Sequence, residues 1–291
     1  MRTYLECFPC MLGQAVEAAR MAGADEHEQR EILDRVLDLL KGVPLSSKPP
    51  EISQPTHRIV REATGVSDPY REMKRESTEE ALALYPWMEQ ALNSADDRLQ
   101  RAVRFSIAGN IIDVRPGLSY DLQEELKRVL DEPMTINDVE TFRAAIGEAD
   151  RVLFLADNAG ETVCDRLLIE TMGLPVTYVV KGSPIANDAT LEDAAEAGLD
   201  GVTELMSSGS DAPGTVLDTC SERFRRAYDE APLVIAKGQA NYESLSENAG
   251  PRVFFLLQAK CPTLARDVGV PVRSLVLRQG DGTRDGSERA A

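Results

Sequence analysis

Three short stretches of the 291-residue chain concentrate oxygen donors, lysines and glycines immediately after apolar runs. Asp157-Asn158-Ala159-Gly160-Glu161 follows Val152 to Ala156. Lys181-Gly182-Ser183 and Asn187-Asp188-Ala189-Thr190 follow Val176 to Val180. Lys237-Gly238-Gln239-Ala240-Asn241-Tyr242-Glu243 follows Leu233 to Ala236. Each stretch alone is ordinary turn and helix-cap chemistry. Together they bring three or four hard oxygen donors and at least one lysine to what should be one sheet edge. Carboxylate and amide oxygens suit Mg²⁺ or Mn²⁺, with the remaining positions left to water and phosphate. A divalent ion and a lysine on one phosphate would neutralise charge that develops during its transfer. The Lys181-Gly182-Ser183 turn adds a cation, the Ser183 hydroxyl and free amides.

The elements that must hold these residues follow from hydrophobic period. From Met11 to about Asp150 the pattern is helical, interrupted by a proline-rich hinge from Val43 to Pro55. After Arg151, apolar runs alternate with helical patterns: Val152–Ala156, Val176–Val180, a weaker Gly201–Met206, Leu233–Ala236, Val253–Leu257 and Val270–Leu277. Alternation of this kind predicts an α/β fold: a three-layer α/β/α, Rossmann-like domain with a mainly parallel sheet. The expected organisation is a helical region over 1–148, the α/β domain over 149–278, and a polar, glycine-rich, disordered tail over 279–291. Ligands of such sheets bind outside the carboxyl ends of the strands, where the three stretches begin. Gly109-Asn110 interrupts an otherwise apolar helical stripe. It fits either close helix packing or a site facing the strand tips, and Asn110 or Arg104 would there choose the leaving group.

Composition narrows the function classes. Lysine plus arginine number 32 against 49 aspartate plus glutamate, a formal charge of −17. A nucleic-acid partner would need a basic face and is not expected. No run approaches the ~20 apolar residues of a membrane span, and the first residues lack the apolar core of a signal peptide, so a cytoplasmic location is expected. Two histidines exclude a histidine-rich metal site, and His57 reads as a packed residue. Five cysteines do not make a disulfide framework. Cys7-Phe8-Pro9-Cys10 and the distant Cys261 admit structural, redox and metal-binding readings. There is no P-loop, dinucleotide glycine fingerprint or nucleophile elbow.

The ordered set of motifs resembles the DUF89 proteins, metal-dependent damage-control phosphatases with an ARMT-like fold. Besides the three stretches, Cys7-x-x-Cys10, Thr56-His57-Arg58, Gly109-Asn110 and Ala259-Lys260-Cys261 are similar to the archaeal and bacterial branch of that family. The resemblance covers nearly the whole chain to about Leu277. It implies that Asp157, Asn158 and Asp188 bind one divalent ion (Mn²⁺, Mg²⁺, Co²⁺ or Ni²⁺). It also implies that Lys237 and Asn241 hold the substrate phosphate, with Lys260 or Gln258 as a further contact. The implied activity is hydrolysis of a small phosphorylated metabolite, such as a sugar phosphate, with Asp157 and Lys237 catalytic. The nucleophile is either a metal-bound water or the Asp157 carboxylate. Rival readings are an α/β transferase or nucleotide-binding protein using the same strand ends, a non-catalytic metal-binding protein, and a thiol centre at Cys7, Cys10 and Cys261. A homo-oligomer is compatible with the sequence.

Overall fold

A computed structural model of the chain describes residues 1–109 and 122–282. Its elements run α1 (Cys7–Met21), α2 (Glu26–Lys41), α3 (Pro49–Thr64), α4 (Arg71–Asn93), α5 (Arg98–Ala108), α6 (Leu122–Asp131), β1 (Ile136–Asn137) and α7 (Val139–Glu148). They continue β2 (Val152–Leu155), α8 (Glu161–Met172), β3 (Val176–Val180), α9 (Leu191–Glu196), β4 (Glu204–Ser207) and α10 (Glu222–Glu230). The last are β5 (Leu233–Lys237), α11 (Gly238–Leu245), β6 (Val253–Gln258), α12 (Pro262–Val268) and β7 (Leu275–Gln279).

The strands form one seven-stranded sheet in the order β1-β7-β6-β5-β2-β3-β4, parallel except where β6 meets β7. β2, β5 and β6 are buried along their whole length, as expected of central parallel strands covered on both faces. Alternate residues serve the two faces. Val152, Phe154, Leu233, Ile235, Phe254 and Leu256 pack with residues of α4, α5, α7 and α8. Leu153, Leu155, Val234, Ala236, Phe255 and Leu257 pack with Phe224 of α10, Tyr242 of α11 and Leu264 of α12. The three-layer α/β/α fold expected from the alternation is therefore present. The chain leaves β2 in one direction to β3 and β4, then returns to β5 on the other side. That reversal makes β2 and β5 flank a switch point, and a crevice opens at their carboxyl ends.

Some boundaries differ from expectation. β1 pairs with β7 through Ile136 and Val276, so the sheet layer begins before residue 148. A two-residue strand is too short to carry a period-two signal. α4 to α8 share one cluster with the sheet, whereas α1 to α3 close their own core around Met11, Ala15, Ile32, Val36, Ile52 and Val60. β7 begins at Leu275 and reaches Gln279, which pairs with Phe254, so the sheet extends past the expected start of the tail. Residues 283–291 of that tail lie outside the described residues, and so does Asn110. At Gly109 a Cβ would stand 3.0 Å from Cys164 Cβ of α8, so the glycine does serve close packing. Among the described residues no helix is long and apolar enough to cross a membrane.

α3 is fastened to the loop after β4 by one carboxylate. Asp211 accepts from Arg58 Nε at 2.8 Å, Arg61 Nη2 at 2.6 Å and Gln54 Nε2 at 2.7 Å. Arg61 Nη1 also donates to Pro184 O at 2.9 Å, on the loop after β3. Burial alone would raise the Asp211 pKa, but Arg58, Gln54 and Arg61 outweigh it and hold the carboxyl at about 2. A depressed folded pKa contributes stability that is present above the unfolded value of about 4 and is lost as pH falls towards the folded one. Asp211→Asn should therefore lower stability at neutral pH. It should also flatten the decline in denaturant midpoint between about pH 4 and pH 2 relative to wild type. An unchanged acid limb would contradict this.

Candidate active site

The tips of β2 and β3 are stitched together. Ala159 N donates to Asn187 O at 2.9 Å, and Ala189 N donates to Asp157 O at 2.8 Å. These bonds flank an antiparallel bridge between Asn158 and Asp188. A pair flanked in this way has Cα atoms about 4.5 Å apart with its side chains on the same side. The spacing in sequence says nothing of this contact, which joins two loops 30 residues apart.

Asp157, Asn158 and Asp188 all line a cavity of about 370 Å³ between the strand tips and the helical region. Gln239, Ala240 and Glu243 of α11 form one wall, and Lys260 after β6 another. Gln14 and Glu17 of α1 with Ser53 and His57 of α3 close it from above. A larger groove of about 770 Å³ runs between α1 and α2, but no strand-tip residue lines it. Depth of groove does not locate the chemistry here; the convergent polar groups do.

Beneath the cavity floor lies a buried ionic chain. Asn158 Nδ2 donates to Asp157 Oδ2 at 3.2 Å and to Glu161 Oε1 at 2.5 Å. Lys237 Nζ donates to Glu161 Oε2 at 2.9 Å, Asp165 Oδ1 at 2.6 Å and Ser106 O at 2.8 Å. Asp165 also accepts from Ser106 Oγ at 2.6 Å and Tyr178 Oη at 2.8 Å. With both amide hydrogens given to carboxylates, Asn158 turns its carbonyl oxygen the other way, as an acceptor or ligand. Burial pushes the Asp165 carboxyl up against the pull of Lys237. Burial would also pull the Lys237 ammonium down, but Asp165 and Glu161 more than reverse it, so Lys237 stays charged.

The floor itself carries excess negative charge. Burial, then Glu161 and Asp188, push the Asp157 carboxyl well above the usual carboxylate range. Burial raises Asp188 as well, partly offset by Lys181. Lys181 Nζ lies 3.4 Å from Asp188 Oδ2 and donates to Gly214 O at 2.5 Å. The ion pair lacks hydrogen-bond geometry, so Asp188 Oδ2 is buried with no hydrogen-bond partner among the described residues. Lys181 meets this oxygen as an ion pair only, which leaves its hydrogen-bonding capacity for another donor or a cation. Two carboxylates and an amide oxygen form a hard donor set suited to a divalent ion. Among the described residues no group of three or more His, Cys, Asp or Glu could hold a metal ion, so a site here would have to include the Asn158 amide.

The other expected site residues divide clearly. Lys260 lines the cavity, whereas Gln258 donates to Arg273 O at 3.3 Å and does not. Lys237 is 1% exposed and fully engaged below the floor, so direct phosphate contact, expected from its place at a strand end, is not the geometry found. It shares parity with Leu233 and Ile235 and so points toward α5 and α8. Asn241 is likewise buried. Its Nδ2 donates to Ala156 O at 3.1 Å and Lys237 O at 2.8 Å, and its Oδ1 accepts from Thr215 Oγ1 at 2.7 Å. It ties the β2 tip to the β5 turn rather than touching the cavity. Ser183 is exposed and does not line the cavity. Arg104 donates to the carbonyls of Leu130 and Glu132 at the end of α6, away from the floor.

Other residues emerge only from the structure. Glu161 and Asp165, one turn apart on α8, carry the buried chain, and their i,i+4 spacing on the face that also carries Leu168 and Met172 was the available signal. Gln239 and Glu243 repeat that spacing on α11. His57 is packed, as expected, near Tyr70 with ring centroids 6.2 Å apart, and it also lines the cavity. Burial and then Arg61 lower its pKa to about 4, so its imidazole is neutral at pH 7. None of the five cysteines is in a disulfide. Cys10 Sγ accepts from Gln14 Nε2, and Cys261 Sγ caps α12 by accepting from Leu264 N at 3.3 Å.

Two substitutions test this packing. A Cβ at Gly238, where φ is +75°, would stand 1.8 Å from Asp157 Oδ2, whereas Gly269, at φ +83°, has open space. Gly269→Ala should lose only the ~1–2 kcal/mol of a left-handed residue. Gly238→Ala should lose a further ~1–3 kcal/mol by chemical denaturation, because Asp157 must move. Lys237→Met should destabilise the fold by ~3–5 kcal/mol at pH 7, since it strands Glu161 and Asp165 without their cation. A smaller loss in the same denaturation assay would mean that the carboxylates find another partner.

The chain is similar throughout its length to known proteins. The family model described as the damage-control phosphatase ARMT1-like domain matches residues 3–276. A damage-control phosphatase of Archaeoglobus fulgidus is 36% identical over 282 residues, covering 94% of this chain and 97% of that protein. A damage-control phosphatase of Pyrococcus horikoshii is 34% identical, covering 95% of this chain and 97% of its own. The crystal structure of a DUF89 family protein from Pyrococcus horikoshii superposes with a TM-score of 0.89 at 31% identity, covering 97% of this chain and 100% of that one. The chain therefore belongs to the damage-control phosphatase ARMT1-like, or DUF89, family.

Proposed function

We propose that the protein is a metal-dependent phosphomonoester hydrolase acting on a small phosphorylated metabolite. Membership of a phosphatase family supports hydrolysis in general. The observation that carries the finer reading is the floor of the cavity. Asp157, Asn158 and Asp188 meet there as hard oxygen donors, one carboxylate oxygen lacks a hydrogen bond, and Lys260 stands on the adjoining wall. Asp157, Asn158 and Asp188 would hold the ion, consistent with the excess of negative charge around them. Bound there, a divalent ion supplies Lewis-acid charge to phosphoryl oxygens and acidity to a coordinated water.

The remaining roles belong to the chain itself. Lys260, on a short exposed segment after β6, reaches over the cavity to pair with the substrate phosphate. Lys181 offsets part of the effect of burial on Asp188. Lys237 fixes Glu161, which fixes the Asn158 amide, so it acts through that chain and not on the phosphate. Gln14, Ser53 and His57 on the helical wall offer hydrogen bonds to a polar leaving group and keep bulk water off the floor. A cavity of about 370 Å³ suits a molecule of sugar-phosphate size.

Metal-stripped protein should release no phosphate from a panel of sugar phosphates and p-nitrophenyl phosphate, and should recover on addition of Mn²⁺, Mg²⁺, Co²⁺ or Ni²⁺. Asp157→Ala and Asp188→Ala should each lower kcat by ~100-fold or more in the restored assay. Turnover that survives both substitutions, or that is indifferent to metal, would overturn the proposal.

A further inference from the structure

Glu243 stands on the α11 wall of the cavity and is 6% exposed. Gln239 Nε2 donates to Glu243 Oε1 at 2.6 Å and also reaches Cys261 Sγ at 3.5 Å. The carboxyl is thus fixed through one oxygen by a neutral amide, with no ion pair to a lysine or arginine among the described residues. Its other charged neighbours are the Met1 amino group and Asp267 of α12, and the thiols of Cys7, Cys10 and Cys261 lie near it.

Its place on the cavity wall suits a particular task. Gly238, at the start of α11, packs against Asp157, and Glu243, further along the same helix, lines the cavity that Asp157, Asn158 and Asp188 also line. A phosphoryl group seated on Asp157, Asn158 and Asp188 presents its bridging oxygen away from them. Glu243, on the cavity wall, offers that oxygen a carboxyl proton.

We propose that Glu243 is the general acid of the hydrolysis, an assignment that rests on the phosphomonoesterase reading. The attacking water forms the new P–O bond, and the electron pair of the breaking P–O bond moves to the bridging oxygen. That oxygen takes the Glu243 proton and leaves as the alcohol. One proton of the water stays on the product as hydrogen phosphate. The other, released to solvent, is balanced by reprotonation of Glu243, so no further reactant is needed. Burial pushes the Glu243 carboxyl up to about 7, with the Gln239 hydrogen bond and the Met1 amino group opposing and Asp267 adding to the rise. A carboxyl in that range can carry a proton at the pH where it must give it away.

The test compares leaving groups in the full, metal-loaded chain. An alkyl phosphomonoester needs its departing oxygen protonated, whereas p-nitrophenolate leaves as a stable anion. Glu243→Gln should lower kcat on the alkyl ester by ~100-fold or more, and that loss should exceed the loss on p-nitrophenyl phosphate at least tenfold. Glu243→Asp should recover part of the alkyl-ester activity; if Glu243→Gln does not fold, Glu243→Asp, which keeps an acid but withdraws it, should show the same bias toward the aryl ester. Equal losses on the two esters, or no loss on either, would overturn the Glu243 assignment while leaving the phosphatase reading intact. Wild-type silence on both esters, with metal bound, would overturn both.

Discussion

Asp157, Glu161, Asp165 and Asp188 bury four carboxylates within two loops and one helix turn, under a single cavity. Isolated charges in such a place are strongly unfavourable. Lys237 compensates Glu161 and Asp165 from below, and Lys181 stands beside Asp188. Asp157 and Asp188 both line the cavity, and burial together with the neighbouring carboxylates still outweighs the lysines around them. The fold thus concentrates carboxylates at one cavity, the arrangement on which the proposed cation site rests.

The scaffold makes that point rigid. The β2 and β3 tips are bridged, Asn241 ties the β2 tip to the β5 turn, and Gly238 lets that turn press against Asp157. Above the floor the arrangement is different in kind. α1 to α3 have their own core and are fastened through Asp211 to loops of the sheet, so the cavity roof is a separately packed unit held by charged contacts. In the proposed reaction a fixed floor would position phosphate and a separately anchored roof would accept its leaving group.

Much of this was legible in the sequence because strand ends announce themselves. Asp157-Asn158 and Asn187-Asp188 follow apolar runs, and sheet topology brings such ends to one edge. Lys237 misled because a strand-end lysine looks available. Its parity with Leu233 and Ile235 already pointed it at the helix layer, and two-residue alternation could have corrected the reading. Asn241 misled for a related reason: four residues on in α11, it lies over its own strand end and caps it. β1 could not be seen at all, since Ile136-Asn137 becomes a strand only through β7. The Asn158–Asp188 bridge is a tertiary fact with no local signature.

The most direct test of the central claim is to titrate metal-stripped protein with Mn²⁺ and count free ion by electron paramagnetic resonance. One ion bound per chain, with the tight site lost in Asp188→Asn and retained in Lys260→Met, is the predicted result. Absence of a tight site, or one that persists unchanged in Asp188→Asn, would contradict the assignment of the strand tips as the metal centre.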